Sequence, residues 1–174
     1  MTDTAAPAPP NAFGDLHNEL AGTRRVLERI PDEHWGWKPH EKSMTLGRLG
    51  THLAEIPRLA TLVLGRDEFN VQEKRWEGEP PANRAEVLAA FDQAVAGIGE
   101  ALAAVPVDGW GKTWTLRMGE QVMLSMPRAA ALRTLGINHL VHHRAQLTVY
   151  LRLLDVPVPS LYGPSADEAR PPAA

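Results

Sequence analysis

An all-α fold, a four-helix bundle with a short β-hairpin between its third and fourth helices, is what this chain of 174 residues predicts. Three observations carry that expectation. Apolar residues recur at helical spacing in four long stretches. Proline and glycine punctuate the intervals between them, and a composition that is 44% hydrophobic suffices for one compact core. No repeat of solenoid period and no second block of composition divides the chain. Residues 11–168 are therefore read as one domain, between a disordered arm at 1–10 and a flexible tail at 169–174.

The first helix is expected over residues 12–30, with Asn11 as N-cap, Phe13, Leu16, Leu20, Leu27 and Ile30 as its apolar residues, and Pro31 as its stop. The connection that follows carries Trp35 and Trp37, read as a hydrophobic cover over one end of the bundle, and His34 and His40, which lack helical spacing. A second helix spans 45–64, with Pro57 inside it removing a backbone donor and opposing the carbonyl of Leu53. Residues 65–81 read as a long crossover loop. The third helix covers 83–105, its apolar side built from Val87, Leu88, Phe91, Val95, Ile98 and Leu102, and Pro106 closes it. Residues 112–126 alternate polar and apolar around Gly119, the pattern of a hairpin. Pro127 opens the fourth helix, which runs to Leu154, and the proline-rich end from Val156 onward lies extended over the bundle.

Net charge of −3 and a pI near 6.2 leave no basic face for nucleic acid; Arg24, Arg25 and Arg29 cluster, but Glu19 and Glu28 offset them. No run of about 18 apolar residues predicts a membrane span, and the N-terminus lacks the pattern of a secretory signal. The absence of cysteine rules out disulfides, thiolate ligands and a cysteine nucleophile, and it is compatible with a cytoplasmic setting.

The informative residues are His52, His139 and His143. At about 100° per residue, Leu132, Leu135, His139, His143, Gln146, Tyr150 and Leu153 fall within roughly 40° of one line, with Thr134, Arg144, Thr148 and Arg152 opposite. On the second helix, His52 shares its face with Thr45, Leu49, Ile56, Leu59 and Val63. Histidines four apart on a helix can converge on one ion, and zinc, nickel and iron(II) all accept imidazole. A lone inward histidine is ordinarily a hydrogen-bonded core residue; three of them each need a polar partner, and one shared ion supplies it to all three. His142 sits at the edge of that face and stays outside the ligand set. Glu55 reads as a bundle-edge carboxylate in a surface ion pair, or as a proton acceptor or a group that orients a ligand, and Gln146 as a core hydrogen-bonder or a group beside the metal.

The stretches IPDEHWGWKP (30–39), SMTLGRLGTHLAE (43–55), NHLVHHRAQL (138–147), YLR (150–152) and VPSLYGPS (158–165) resemble the DinB superfamily, the DinB/YfiT-like metal-dependent proteins, and the likeness covers residues 13–168. The resemblance implies an up-down-down-up bundle, a divalent cation held by His52, His139 and His143, and homodimers. It also implies a small-molecule substrate, with a low-molecular-weight thiol among the candidates, because known members include thiol transferases and a thiol-dependent isomerase. Three neutral imidazoles leave coordination positions open, the arrangement of catalytic rather than structural sites. The expected function is thus a metal-dependent thiol S-transferase or hydrolase. The alternatives are a metal-binding bundle without catalysis and a purely structural dimeric bundle.

Overall fold

A computed structural model describes residues 13–72 and 79–168. The expected arm, the Asn11 cap and the expected tail lie outside these residues. Within them the molecule is mostly helical, four helical rods with a three-stranded sheet at one end.

The first rod, α1, spans Leu16–Leu27, shorter at both ends than its apolar pattern suggested. Asp15 occupies the cap position without a side-chain cap bond, its carboxylate being taken by Arg133. Pro31 then leads into a single tight turn, Asp32–His34. The second rod, α2, spans Leu46–Gly65; the Thr45 hydroxyl accepts the Arg48 amide at 3.2 Å, and the chain stays helical through Pro57. Trp35 and Trp37 do cover a bundle end: Trp37 meets Tyr150 edge-on at 5.6 Å, and Trp35 lies so close to Gly47 that a Cβ there would come within 2.2 Å of its ring.

The presumed crossover loop contains a strand, β1 (Glu68–Asn70), too short to show a period of two. It runs parallel to β2 (Thr113–Met118), which pairs antiparallel with β3 (Gln121–Pro127) in the expected hairpin. Gly119 makes the turn at φ +61°, where a side chain would strain the backbone. Fully buried Trp114 fastens the sheet to the core.

The third rod is two helices, α3 (Arg84–Ala96) and α4 (Ile98–Ala104), parted at Gly97. Glycine lacks the propensity to carry the helix through, at a cost of about 1 kcal/mol relative to alanine. Asn83 caps α3 by accepting the Glu86 amide at 3.0 Å. By length and mean hydropathy of 1.4, residues 84–104 would suffice to cross a bilayer. Here they bury Val87, Phe91 and Ile98 against the core and present Asp92 to Arg24 at 2.8 Å.

The fourth rod begins with α5 (Arg128–Ala131), Pro127 being the residue before it rather than within its first turn. It winds through a π-helical segment, Leu132–Asn138, and continues as α6 (His139–Leu153). α2 packs against α3, α4, the π segment and α6, while α1 packs against α3 and α6.

One face of α6 departs from the helical projection. Arg144, placed on the outer side by its spacing, is 2% exposed, whereas Leu153, placed inward, is 58% exposed. At Arg144 the outer side of α6 is not solvent: Glu19 of α1 and Tyr162 cover it. Arg144 donates to the Glu19 carbonyl at 2.9 Å, the Glu19 carboxylate at 2.6 Å and the Tyr162 hydroxyl. The same terminal segment is held by Arg152 on Asp167 and by Arg25 and Arg29 on Glu168, which neutralises the arginine cluster of α1.

Candidate metal centre

Gly136, buried in the π segment, faces Ala60 of α2, and a Cβ on it would lie 3.4 Å from the Ala60 methyl. Two small residues let the fourth rod press against α2, and one helical turn beyond this contact His139 and His143 meet His52. Loose π turns recur where a helix has been re-aimed for function.

The three imidazoles converge through their Nε2 atoms. His52 Nε2 lies 3.2 Å from His139 Nε2, which lies 2.9 Å from His143 Nε2. These separations approach the ~3.3 Å expected between nitrogens that share a tetrahedral zinc at about 2.0–2.1 Å. All three of the histidines singled out by spacing are thus brought together, and among the described residues they form a three-member group whose ligand atoms lie close enough to hold one metal ion. His142 stands outside it, its ring 4.8 Å from that of His143.

Each outer nitrogen has a defined environment. His52 Nδ1 is 3.0 Å from a Glu55 carboxylate oxygen, and a carboxylate only accepts, so this nitrogen carries the proton. His143 Nδ1 is 2.7 Å from the Gln146 side-chain oxygen and donates to it likewise. Both rings therefore turn a bare Nε2 lone pair inward. His139 Nδ1 is buried without a hydrogen bond of good geometry, the Leu135 carbonyl one turn back being the acceptor nearest to serving it. A proton on His139 Nε2 can reach only one of the two facing lone pairs. No tautomer satisfies all three rings, and a cation at their centre does.

Burial favours the neutral form of His139 and His143. Burial, with His143 and His52 beside it, pushes the His139 imidazole down to about 4. Burial also lowers His143, helped by His52, His142 and Arg48 and opposed by the Gln146 hydrogen bond. Burial alone would raise the Glu55 carboxyl; hydrogen bonds from His52 and Arg48 and the Arg48 charge outweigh it and hold it below its ordinary value. Glu55 combines the two roles its position allowed: its side chain is only 17% exposed, and it orients His52 as well as pairing with Arg48 at 3.1 Å. Arg48 itself was not anticipated; its position one turn before His52 was the available signal.

In metal-free protein the depressed His139 sets a pH dependence. The unfolded ring takes its proton near 6.5 and the folded one near 4, so the unfolded state binds more protons between these values. The stability contributed by the neutral ring is complete above pH 6.5 and is lost as pH falls toward 4. Allowing for partial exposure, the loss is about 2 kcal/mol. The melting temperature of chelator-treated protein is expected to drop by roughly 4–8 °C between pH 7 and pH 4.5, and a flat profile over that window would contradict the assignment.

Beside the site runs a groove of about 890 Å³ between α2 and α3, its wall including Ala54, Glu55, Arg58, Ala90 and Gln93. Glu55 belongs to both. The volume lies in the range of about 300–1,000 Å³ typical of small-molecule sites.

Comparison with known proteins places these features in a family context. Residues 15–173 match the model of the DinB family. The chain is 26% identical over 150 residues to the uncharacterized protein YrdA of Bacillus subtilis (strain 168), a match that spans 86% of this chain and 85% of the relative. In fold it is similar to a DinB-like protein from Bacillus cereus ATCC 10987, with a TM-score of 0.67 at 24% identity over 86% of this chain and 95% of that one. It is also similar to the DinB-like protein YjoA of Bacillus subtilis, with a TM-score of 0.63 at 18% identity over the same shares.

Proposed function

Since the chain belongs to the DinB family, we propose that His52, His139 and His143 hold one divalent cation through their Nε2 atoms and that the loaded centre serves a metal-dependent enzyme acting on a small molecule, as a thiol S-transferase or hydrolase. Zinc, nickel and iron(II) all suit three imidazoles. The observation that carries the reading is the convergence of three Nε2 atoms that no protonation pattern reconciles.

When bound, such an ion supplies Lewis acidity that acidifies a thiol or water at an open coordination position. The chain's own residues do the rest. Glu55 and Gln146 fix the tautomers and ring orientations of His52 and His143. Burial keeps His139 neutral and ready to ligate at physiological pH. The three-member ligand set leaves positions free for a substrate, and the adjoining groove offers it a wall. The same membership carries the expectation of an up-down-down-up helix order and a homodimer, and the absence of cysteine is compatible with a cytoplasmic setting.

The test is elemental analysis of full-length protein after reconstitution at neutral pH. About one ion per chain, with a melting temperature that rises on loading and falls on chelation, supports the centre. No uptake of any of the three metals would remove it and leave a structural bundle.

A further inference from the structure

Arg48 points to the chemistry of what approaches this centre. It sits on α2 one turn before His52, and its side chain runs past that histidine to Glu55, seven residues on. Its charge is also felt at His143 on the opposite rod. The guanidinium therefore lies at the rim where α2 and α6 face each other, and it is 45% exposed.

Its hydrogen bonding is incomplete. Both terminal nitrogens donate to one and the same Glu55 oxygen, at 3.1 and 3.2 Å. A guanidinium has five N–H donors, so three of them have no protein partner among the described residues. Arg24, Arg133 and Arg152, by contrast, each engage both oxygens of one carboxylate. Charge adds a second argument. A dication held by three neutral imidazoles carries +2, and Arg48 and Glu55 cancel, so the loaded centre keeps a charge of about +2 with a donor-rich rim, a setting that favours anions.

We propose that Arg48 is a recognition residue that takes an oxyanion group of the small molecule reaching the metal, so that this molecule is an anion bearing a carboxylate or a similar acidic group a few bonds from the atom that meets the ion. The inference rests on the metal centre proposed above. The free N–H groups donate to the oxyanion in the planar two-bond geometry that arginine offers, while Glu55 keeps its bond to His52.

The experiment uses full-length protein loaded with cobalt(II), read by the thiolate-to-cobalt absorption that appears when a thiol binds the ion. Three probes are titrated: 3-mercaptopropionate, 2-mercaptoethanesulfonate and 2-mercaptoethanol. The expected result is that wild type binds at least one of the two anionic thiols about tenfold more tightly than the neutral one. Which anion gains the advantage separates carboxylate from sulfonate recognition. In Arg48→Gln the ratio falls to about one, and in Arg48→Lys it is intermediate. Ratios on the same loaded protein cancel any change in metal affinity that follows from loosening Glu55. Equal affinities in wild type, or a preference that survives in Arg48→Gln, would overturn the role of Arg48 while leaving the metal centre intact. Failure to take up cobalt would overturn both.

Discussion

Replacing Arg128 with alanine is expected to cost about 3–5 kcal/mol of stability, the range for removing one partner of a buried charged network. That corresponds to a fall in melting temperature of roughly 6–20 °C for a chain of this size. Arg128 is 5% exposed and stands where the fourth rod starts. Its guanidinium donates to the carbonyls of Val63, Leu64 (3.1 Å) and Arg66 (2.6 Å) at the end of α2, to the Gly109 carbonyl at 3.3 Å and to the Asp67 carboxylate. The last carbonyls of a helix have no intrahelical partners and carry its negative end. One buried cation answers both needs and ties α2, the sheet and the fourth rod together. Alanine leaves several of these carbonyls enclosed and unbonded. Arg128→Lys keeps one cation but cannot span all the acceptors, and it should fall between alanine and wild type. A melting temperature for Arg128→Ala within 2–3 °C of wild type, about the equivalent of 1 kcal/mol, would show that water replaces these bonds freely.

The second large effect is on metal binding. His139→Ala is expected to reduce affinity for zinc by well over 100-fold, to the point where gel-filtered protein carries little metal. His139 Nε2 is the nitrogen that both other ligands approach, and two remaining histidines on different rods form a far weaker chelate. Glu55→Gln, which leaves all three ligands and removes only the charge that orients His52, should weaken binding by about 10–100-fold. The order, with His139→Ala well below Glu55→Gln and both below wild type, can be read by competition with a chromogenic chelator. Equal affinities for wild type and His139→Ala would exclude His139 as a ligand. In the metal-free state the same His139→Ala change should also reduce the loss of stability between pH 6.5 and 4, since the ring pushed down to about 4 is gone and only the lowered His143 remains.

Most of the bundle was legible because its signals are local. Thr45 before an apolar period marked the start of α2 to within one residue, and Gly119 between alternating strands marked the hairpin. The site was legible for the same reason: His139 and His143 stand four apart on one helix, and His52 shares a face with core residues of another. The misses have specific causes. β1 is three residues long and gains its identity from β2, far away in sequence. The break at Gly97 needed only one residue of poor propensity, within a pattern that otherwise continued on both sides. The assignment of Arg144 to the side opposite the histidines assumed that side to face solvent, whereas α1 and the terminal segment cover Arg144 there.

By itself the sequence determined where the four helical rods run, most of the apolar side of each, and that three histidines lie on those sides, because periodicity and capping depend on neighbours a few positions apart. Only the tertiary structure decided that the three Nε2 atoms meet, that Glu55 and Gln146 assign their protons, that Arg48 lies at the rim with donors to spare, and that Arg128 and Arg144 are buried. Those facts depend on how closely two rods approach and on what covers their outer faces. Distance and burial between segments nearly a hundred residues apart are set by packing, which no local pattern encodes.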